Sequence, residues 1–211
     1  MNKKNMTASS AMILLPIIAG LILWNRLPAE IATHFNFSGE PDGYSSKVFA
    51  VFFLPLFMLA IHLLCAFVSF KLDKSNQNIS TAAANLVIWI CPVMSIFVSA
   101  IMYSYALGYG FNVSTACLLF LGLEFTVIGN YLPKCRQNHT IGIKIGWTLN
   151  DEDNWNKTHR FAGKLWVILG ISVIINELLN FSKLALPITA LTAMIIVPII
   201  YSGILHYSKN R

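Results

Sequence analysis

Residues 48–70 read VFAVFFLPLFMLAIHLLCAFVSF, a stretch that contains no Asp, Glu, Lys or Arg. A helix that spans the hydrocarbon layer needs about 20 mostly apolar residues, because each residue rises about 1.5 Å and the layer is about 30 Å thick. A strand of a membrane β-barrel would instead alternate apolar and polar residues over about ten positions. The stretch therefore predicts a transmembrane helix, which satisfies its own backbone hydrogen bonds in lipid.

Five further stretches have the same character. The composition agrees, since 56% of the 211 residues are hydrophobic and 11% are charged, against about 25% charged in soluble domains. We predict an all-α, polytopic integral membrane protein in which residues 1–211 form a single transmembrane domain. Because no small-residue cleavage site follows the first span, we expect it to remain as an uncleaved anchor. The six spans are predicted at residues 9–24, 48–70, 82–107, 113–132, 161–181 and 184–206.

The basic residues predict the orientation of these spans. One side of the membrane has only Arg26, Lys47 and Lys183. Cytoplasmic connections carry the excess of Lys and Arg, so both termini and loop 133–160 are predicted to be cytoplasmic and loop 25–47 to be outside. The net charge of +6 comes from no dense basic run, and we expect no direct nucleic-acid binding. The predicted cytoplasmic cations are Lys3, Lys4, Lys71, Lys74, Lys134, Arg136, Lys144, Lys157, Arg160, Lys209 and Arg211.

The outer loop is long enough to have a function of its own. Its middle alternates apolar and polar residues, with Ile31, Thr33, Phe35 and Phe37 at alternate positions, and predicts a short extended segment, and Pro41-Asp42-Gly43 predicts a turn. Imidazole and carboxylate groups here are suitable ligands for a divalent metal, but turn formation and loop packing explain them more simply. We therefore predict no metal and no cofactor. The candidate ligand-binding residues are His34, Phe35, Glu40, Asp42, Tyr44 and Lys47.

The inner loop is predicted to contain a helix with Asn150 as its N-cap and an acidic first turn. Trp155 and His159 recur on it at near-helical spacing, so we expect this helix to lie at the headgroup level before it turns into the fifth span. Basic residues in this region are candidates for docking a cytosolic partner, and they are equally ordinary determinants of topology. The candidate docking residues are Asn130, Lys134, Arg136, Asn138, Lys144, Trp147, Thr148, Trp155, His159 and Arg160.

Glu124, near the middle of the fourth span, is the most unusual intramembrane residue. An ionised carboxylate is costly in hydrocarbon, so this side chain should face other helices and find a partner, or be protonated. His62 and Asn85 are the candidate partners. Such a pair could relay a proton or hold a polar group of a ligand, and a purely structural hydrogen bond is an equal alternative. Asn176 and Glu177 lie near the outer end of the fifth span, and we expect them to snorkel to the interface.

The inner-loop residues His139, Asp151 and His159 lack both the HExxH spacing and a GxSxG serine, so the sequence predicts no enzyme. A transporter of a small solute or of protons has better physical grounds, because broken helices can line a pathway. No inverted repeat is evident, and transport therefore ranks as the alternative function. The prolines that are predicted to interrupt spans are Pro55, Pro92, Pro187 and Pro198.

Two ordered blocks of residues resemble a known family. The first consists of Pro28, Thr33-His34-Phe35, Gly39-Glu40-Pro41-Asp42-Gly43 and Lys47; the second consists of Gly129-Asn130, Trp147-Thr148-Leu149, Trp155, Thr158-His159-Arg160 and Gly163. These blocks are similar to those of the SdpI family of bacterial membrane immunity proteins. The resemblance covers most of the chain, from about the first span to the start of the fifth.

The resemblance implies a multi-pass protein of the bacterial plasma membrane that protects a Gram-positive cell from a secreted, membrane-active toxin peptide. In the best-known form of the family it also implies signalling by capture of a cytosolic transcriptional repressor. The implied partners are thus the toxin peptide, a repressor and the lipid bilayer. Two positions depart from the family pattern: Ala32 stands where a proline commonly precedes Thr33, and Lys144 stands where an arginine is usual. A lysine lacks the planar fork of arginine, so a bidentate anion contact is not expected there.

Overall fold

The computed structural model describes residues 3–69, 81–182 and 184–209. Within this part of the chain six helices are long and apolar enough to cross a membrane, and the predicted six-span membrane protein is confirmed. Lys71, Lys74, Lys183 and Arg211, which the orientation prediction uses, lie outside the described residues. The helices are α1 (Lys3–Ile22), α2 (Leu54–Phe67), α3 (Thr81–Ala106), α4 (Val113–Tyr131), the single turn α5 (Gly146–Leu149), α6 (Glu152–Leu179) and α7 (Ala185–Lys209).

The chain divides into two compact units. Unit 1 contains α1, the loop that follows it, α2, most of α3 and the first turn of α4. Unit 2 contains the first residues of α3, the rest of α4, and α5, α6 and α7. Each unit has its own packing.

The loop after α1 is an antiparallel β-hairpin made of β1 (Glu30–Phe35) and β2 (Pro41–Ser46). The predicted extended segment is therefore confirmed as far as Phe35, whereas Phe37 lies in the turn. The predicted turn at Pro41-Asp42-Gly43 is wrong, because these residues lie in β2 and the chain reverses at residues 36–40. Asn36 closes that reversal: its N–H donates to the Glu40 carbonyl (2.8 Å), and its carbonyl accepts from the Gly39 N–H (2.9 Å).

The hairpin is fixed to the spans of unit 1 by an apolar cluster. Ile31 of β1 is fully buried against Val51, which lies in a π-helical turn (Phe49–Phe53) that precedes α2, and against Tyr103 of α3. The Tyr103 hydroxyl donates to the Pro16 carbonyl of α1 (3.2 Å). Burial of such side chains contributes roughly 1.5–3 kcal/mol each. The first strand thus extends the membrane-embedded core of this unit.

Unit 2 contains a close antiparallel crossing of α4 and α6 at two pairs of glycines. A Cβ atom added to Gly170 would lie 2.7 Å from the Gly122 carbonyl oxygen, and one added to Gly163 would lie 2.6 Å from that of Gly129. The two glycines of each helix are about two turns apart, so both pairs lie on one helix face. Small residues allow this approach, which is how helices gain van der Waals contact in lipid.

The inner-loop helix differs from the prediction in two respects. It is not a separate interfacial helix, because residues 152–179 form one continuous helix, α6. Its N-cap is Asp151 rather than Asn150, since the Asp151 side chain accepts from the N–H groups of Asp153 and Asn154. The polar residues of its first two turns concealed that this helix and the fifth span are one, although a helix can begin outside the hydrocarbon and continue into it.

The prolines do not break the spans. Pro92 lies inside α3 and Pro198 inside α7, and both helices run without interruption. Pro55 follows the π-helical turn as the second residue of α2, and Pro187 lies in the first turn of α7. Pro187, in the first turn of α7, removes no hydrogen bond that the helix would otherwise make, and Pro55 lies within a span that runs from Phe49 to Phe67. The broken-helix argument for a transport pathway is therefore wrong.

We expect Gly170→Ala to lower the free energy of unfolding by about 1–3 kcal/mol, the usual cost of overpacking. The added Cβ would meet the Thr126 hydroxyl at 2.5 Å and the Gly122 carbonyl at 2.7 Å, and backbone cannot move aside cheaply. The measurement is unfolding by sodium dodecyl sulfate of the purified protein in mild detergent.

Gly146→Ala is the matched control, because nothing lies within 4 Å of a Cβ at that position. Equal unfolding midpoints for the two variants would show that the α4–α6 crossing tolerates a methyl group and is not as close as described.

Candidate functional site

The exposed face of the hairpin carries a His–Asp pair. His34 Nδ1 hydrogen-bonds Asp42 Oδ1, and the two side chains are 73% and 45% exposed. Tyr44 on the same strand as Asp42 is 58% exposed. Among the described residues no group of three or more His, Cys, Asp or Glu side chains comes together in a way that could hold a metal ion. The pair is therefore suited to hydrogen bonds and charge contacts with a ligand from outside.

Asn36, which is not among the predicted site residues, organises the tip of the hairpin. Its Oδ1 accepts from the N–H groups of Ser38 (2.9 Å) and Glu40 (3.0 Å), and its Nδ2 donates to the Glu40 carboxylate (3.3 Å). An asparagine two residues before a turn serine is a recognised turn signal. The exposed Glu40 carboxylate is thus held by Asn36.

Two of the predicted ligand-binding residues of the outer loop, Lys47 and Phe35, make contacts within the protein. Lys47 Nζ donates to the carbonyls of Trp24 (2.9 Å) and Leu27 (2.8 Å) and lies 4.8 Å from the centre of the Trp24 ring. Phe35 packs edge-on against Tyr105, with ring centroids 5.1 Å apart. These two residues fasten the hairpin, which leaves His34, Glu40, Asp42 and Tyr44 as its accessible candidates.

The intramembrane candidates fall in different places. His62 of α2 is buried in unit 1, where its Nε2 hydrogen-bonds Ser9 Oγ (3.0 Å). Glu124 of α4 is half-buried in unit 2, and Asn85 is exposed. None of the hydrogen bonds found among the described residues involves Glu124 or Asn85. Ser9 is a partner that the sequence reading missed, and the proposed pairing of Glu124 stays a prediction.

Asn176 and Glu177 do not snorkel, so that expectation is wrong. Both are buried at the end of α6. Asn176 Nδ2 donates to Glu177 Oε1 (3.0 Å) and to the Ser182 carbonyl (2.8 Å), and its Oδ1 accepts from the Ser182 hydroxyl (2.9 Å). Asn180 ends the helix in the left-handed conformation, with φ of 51°. The buried Asn176 amide therefore stabilises the turn that follows α6.

The segment between α4 and α6 is built around the buried side chain of Asn138. Its Nδ2 donates to the carbonyls of Arg136 (2.7 Å) and Ile141 (3.0 Å), and its Oδ1 accepts from the N–H groups of Thr140 (2.8 Å) and Ile141 (2.7 Å). Every hydrogen-bonding position of the amide is thus used within the chain. Asn138 is a structural residue of this segment.

Two aromatic residues of α6 continue this arrangement. Trp155 is fully buried, and its Nε1–H donates to the Cys135 carbonyl (2.8 Å). His159 Nδ1 donates to the Trp155 carbonyl (2.8 Å), and its Nε2 accepts from the Ile143 N–H (2.9 Å). The two bonds require the neutral imidazole with its proton on Nδ1. The expected interfacial anchoring by Trp155 and His159 is therefore wrong, because both lie in the core of unit 2.

The short helix α5 is held by Thr148 and Gln137. The Thr148 hydroxyl donates to the Ile143 carbonyl (2.7 Å) and accepts from the Ile145 N–H (3.1 Å). Gln137 Nε2 donates to the carbonyls of Thr148 (2.8 Å) and Leu149 (3.0 Å). Burial also raises the pKa of the nearby Cys135 thiol to about 11, so this thiol is not a nucleophile at neutral pH.

A buried polar group joins α6 to α7. Asn154 Nδ2 donates to the Ser202 carbonyl (2.9 Å), and its Oδ1 accepts from the hydroxyls of Ser202 (2.6 Å) and Thr158 (3.0 Å). No sequence signal could have found this contact, since Asn154 and Ser202 are far apart in the chain. The bond from Thr158 to Asn154 gives a structural role to the threonine that precedes His159 in the second block.

Some of the candidate docking residues are exposed on the surface of unit 2, and others are buried. Two further cations there are paired: Lys157 contacts Asp153 (2.7 Å), and Lys209 contacts Asp151 (2.9 Å). The hydrogen bond from Lys209 holds the pKa of Asp151 below its usual value. Trp147 is partly buried against α7, whereas Asn138, Thr148, Trp155 and His159 are buried. The exposed candidates are Asn130, Lys134, Arg136, Lys144 and Arg160.

Comparisons with known proteins agree with the resemblance seen in the two blocks. Residues 134–202 match the SdpI/YfhL protein family, and residues 11–59 match a domain of unknown function, DUF1648. The chain is 27% identical to the Immunity protein SdpI of Bacillus subtilis (strain 168) over 210 residues, which cover 99% of this chain and 97% of that protein. No solved structure gives a significant match. The resemblance to the SdpI family is thereby confirmed, and so is a multi-pass protein of the cell membrane.

We expect Asn138→Ala to increase amide hydrogen exchange at residues 136–141 about ten-fold or more, because it leaves buried backbone groups without partners at a cost of about 1–3 kcal/mol. Asn150→Ala is the control: Asn150 is exposed and makes one side-chain bond, to the Gly146 carbonyl (2.9 Å). Exchange read by mass spectrometry should rise only in the first variant. An equal response of both variants would contradict the role given to Asn138.

Proposed function

From its similarity to the SdpI family and, over nearly its whole length, to an immunity protein, we propose that this six-span chain is a membrane immunity protein. It protects the cell that carries it from a secreted toxin peptide that acts on the membrane. The whole-chain similarity carries the proposal. The hairpin of unit 1 supports it with a surface that a peptide can reach.

The first part of the proposed binding surface is polar. Glu40 and Asp42 are exposed carboxylates on a hairpin whose own lysine, Lys47, is occupied by backbone carbonyls. A cationic or N-terminal segment of a peptide is the ligand that complements this charge. His34 orients Asp42, and Asn36 orients Glu40, so the acids are in position before the ligand arrives.

The second part of the surface is aromatic and leads toward the membrane. Phe49, Phe53 and Phe57 form a stacked row, with successive ring centroids 4.5 Å and 5.8 Å apart, and all three are exposed. The row begins where the hairpin ends, since the Phe49 N–H donates to the Ser46 hydroxyl (3.2 Å). Large aromatic side chains dominate binding energies at interfaces. An amphipathic peptide would place its apolar face on this row and its charge at the hairpin.

Glu124 belongs to the proposal as a separate element. A half-buried carboxylate within a span is costly unless it is protonated or paired. The family role gives it a possible ligand, because a polar group of a toxin peptide in the membrane would be such a partner. Its contribution can be separated from that of the hairpin by mutation.

We expect Tyr44→Ala and Phe53→Ala each to lower the toxin concentration that cells tolerate by about 30-fold, since loss of a central aromatic contact costs about 2 kcal/mol. The assay expresses the chain in a toxin-sensitive host and challenges it with secreted, membrane-active toxin peptides. Phe181→Ala is the control, because Phe181 is also highly exposed (75%) but lies in the turn after α6.

Two outcomes would contradict this. No protection by the wild-type chain against any peptide of the class would end the immunity proposal. Full protection by Tyr44→Ala and Phe53→Ala at normal membrane levels would support immunity but contradict toxin binding at the hairpin surface. Glu124→Gln in the same assay tests the intramembrane carboxylate independently, since it keeps the shape of the side chain and removes its charge.

The second part of the proposal is signalling through a cytosolic repressor. Exposed Lys134, Arg136, Lys144 and Arg160 give unit 2 a positive surface that suits an acidic face of a cytosolic repressor. Recruitment of a tagged repressor to the membrane in the presence of toxin would support it.

Transport remains the alternative function. Flux of protons or of a solute in proteoliposomes that depends on Glu124 would favour it.

The orientation proposed from the basic residues has a direct test. We expect an alkaline phosphatase fused after Arg211 to be inactive and one inserted at the hairpin tip, between Phe37 and Ser38, to be active, because cytoplasmic segments carry the excess of Lys and Arg. Phosphatase folds only when exported, and a green fluorescent protein at the same sites should give the opposite pattern. Activity after Arg211 would reverse the proposed sides of both surfaces.

A further inference from the structure

Helix α7 of unit 2 carries an apolar groove of about 630 Å³ near its C-terminal end. Its volume falls within the range of about 300–1,000 Å³ that small-molecule sites occupy. The ring of Trp147 forms one wall and rests on Gly203, where an added Cβ would lie 2.9 Å from the ring. The lining residues are Trp147, Ile199, Ile200, Gly203, Ile204, Tyr207 and Ser208.

The groove opens toward the bilayer. Ile200 and Ile204 line it and are 54% and 61% exposed on a helix that spans the membrane. Its walls offer almost only carbon atoms and aromatic faces. A hydrocarbon chain of a lipid is the occupant that such walls favour, because water gains nothing from entering an apolar groove.

One side of the groove also offers hydrogen-bond donors. The indole N–H groups of Trp155 and Trp166 donate to the carbonyls of Cys135 and Met194. In the described part of the chain no acceptor was found for the Trp147 Nε1–H or for the Tyr207 hydroxyl. Tryptophan and tyrosine at a span end place these groups at the headgroup level, where phosphate and ester oxygens are available.

The chain just before Trp147 carries a positive charge that forms no ion pair among the described residues. Lys144 lies three positions before Trp147, is exposed, and takes part in none of the ion pairs formed by the described residues. Lys209, in contrast, is engaged by Asp151. A single free lysine at a membrane surface attracts anionic lipids by about five-fold over neutral ones.

We propose that this groove binds one anionic phospholipid. An acyl chain lies along Ile200 and Ile204, the phosphate and ester oxygens accept from Trp147 and Tyr207, and Lys144 balances the negative charge. This site is independent of the toxin surface, because its residues belong to unit 2 and none of them is in the hairpin.

The test is native mass spectrometry of the full chain, delipidated in mild detergent and titrated with phosphatidylglycerol or phosphatidylcholine. We expect one phosphatidylglycerol to bind per chain, and Lys144→Gln to reduce its preference over phosphatidylcholine about five-fold. Ile204→Trp fills the groove and should weaken phosphatidylglycerol binding ten-fold or more. Ile195→Trp is the control, since Ile195 is equally exposed (64%) on α7 but does not line the groove.

Equal binding by Ile204→Trp and Ile195→Trp would overturn the proposal, and so would equal affinity of the wild type for the two lipids. A lipid-free dimer that Ile204→Trp dissociates would assign the groove to a second copy of the chain. If Ile204→Trp does not fold, quenching of tryptophan fluorescence by brominated phosphatidylglycerol replaces it. Quenching that is the same in the wild type and in Trp147→Phe would overturn the site.

Discussion

A backbone polar group that is cut off from water must find its partner inside the protein, and the non-helical segment between α4 and α6 is where this constraint is hardest to meet. Four buried side chains meet it. Asn138 completes its own turn, Trp155 takes the Cys135 carbonyl, His159 takes the Ile143 N–H, and Thr148 takes the Ile143 carbonyl. Because Trp155 and His159 belong to α6, their bonds to Cys135 and Ile143 fix the segment beside that helix.

This constraint changes how the second sequence block is understood. Tryptophan, histidine and asparagine in a membrane protein invite a functional interpretation, and here several of them are explained by backbone bonds alone. His159 is the clearest case, since both ring nitrogens are used and a single neutral tautomer satisfies them. The residues with free surface are instead the basic ones around this framework. These exposed side chains are Lys134, Arg136, Lys144 and Arg160.

The sequence allowed the spans to be predicted because apolar length is a local property that needs no knowledge of contacts. Capping signals predicted the start of α6 to within one residue, but its continuation into the fifth span was not predictable from hydropathy, since its first two turns are polar. The first strand of the hairpin was predicted from alternation, but the second was not, because Pro41-Asp42-Gly43 has a strong local turn signature that pairing with β1 overrides. The Asn154–Ser202 and Ser9–His62 contacts join distant positions, and no local pattern encodes them.

The hairpin illustrates what a small exposed element needs if it is to bind a peptide. Two strands alone are marginally stable in water, so an unsupported hairpin would have to be ordered by its ligand and would lose affinity to that cost. Here Ile31 is buried in the core of unit 1, and Lys47 bonds two carbonyls at the end of α1. Asn36 fixes the tip. The support uses side chains that face inward, and Asp42 bonds His34 across the two strands, so Tyr44 is an exposed residue that the support does not use. A substitution at Tyr44 therefore alters the exposed surface while the hairpin keeps its fold.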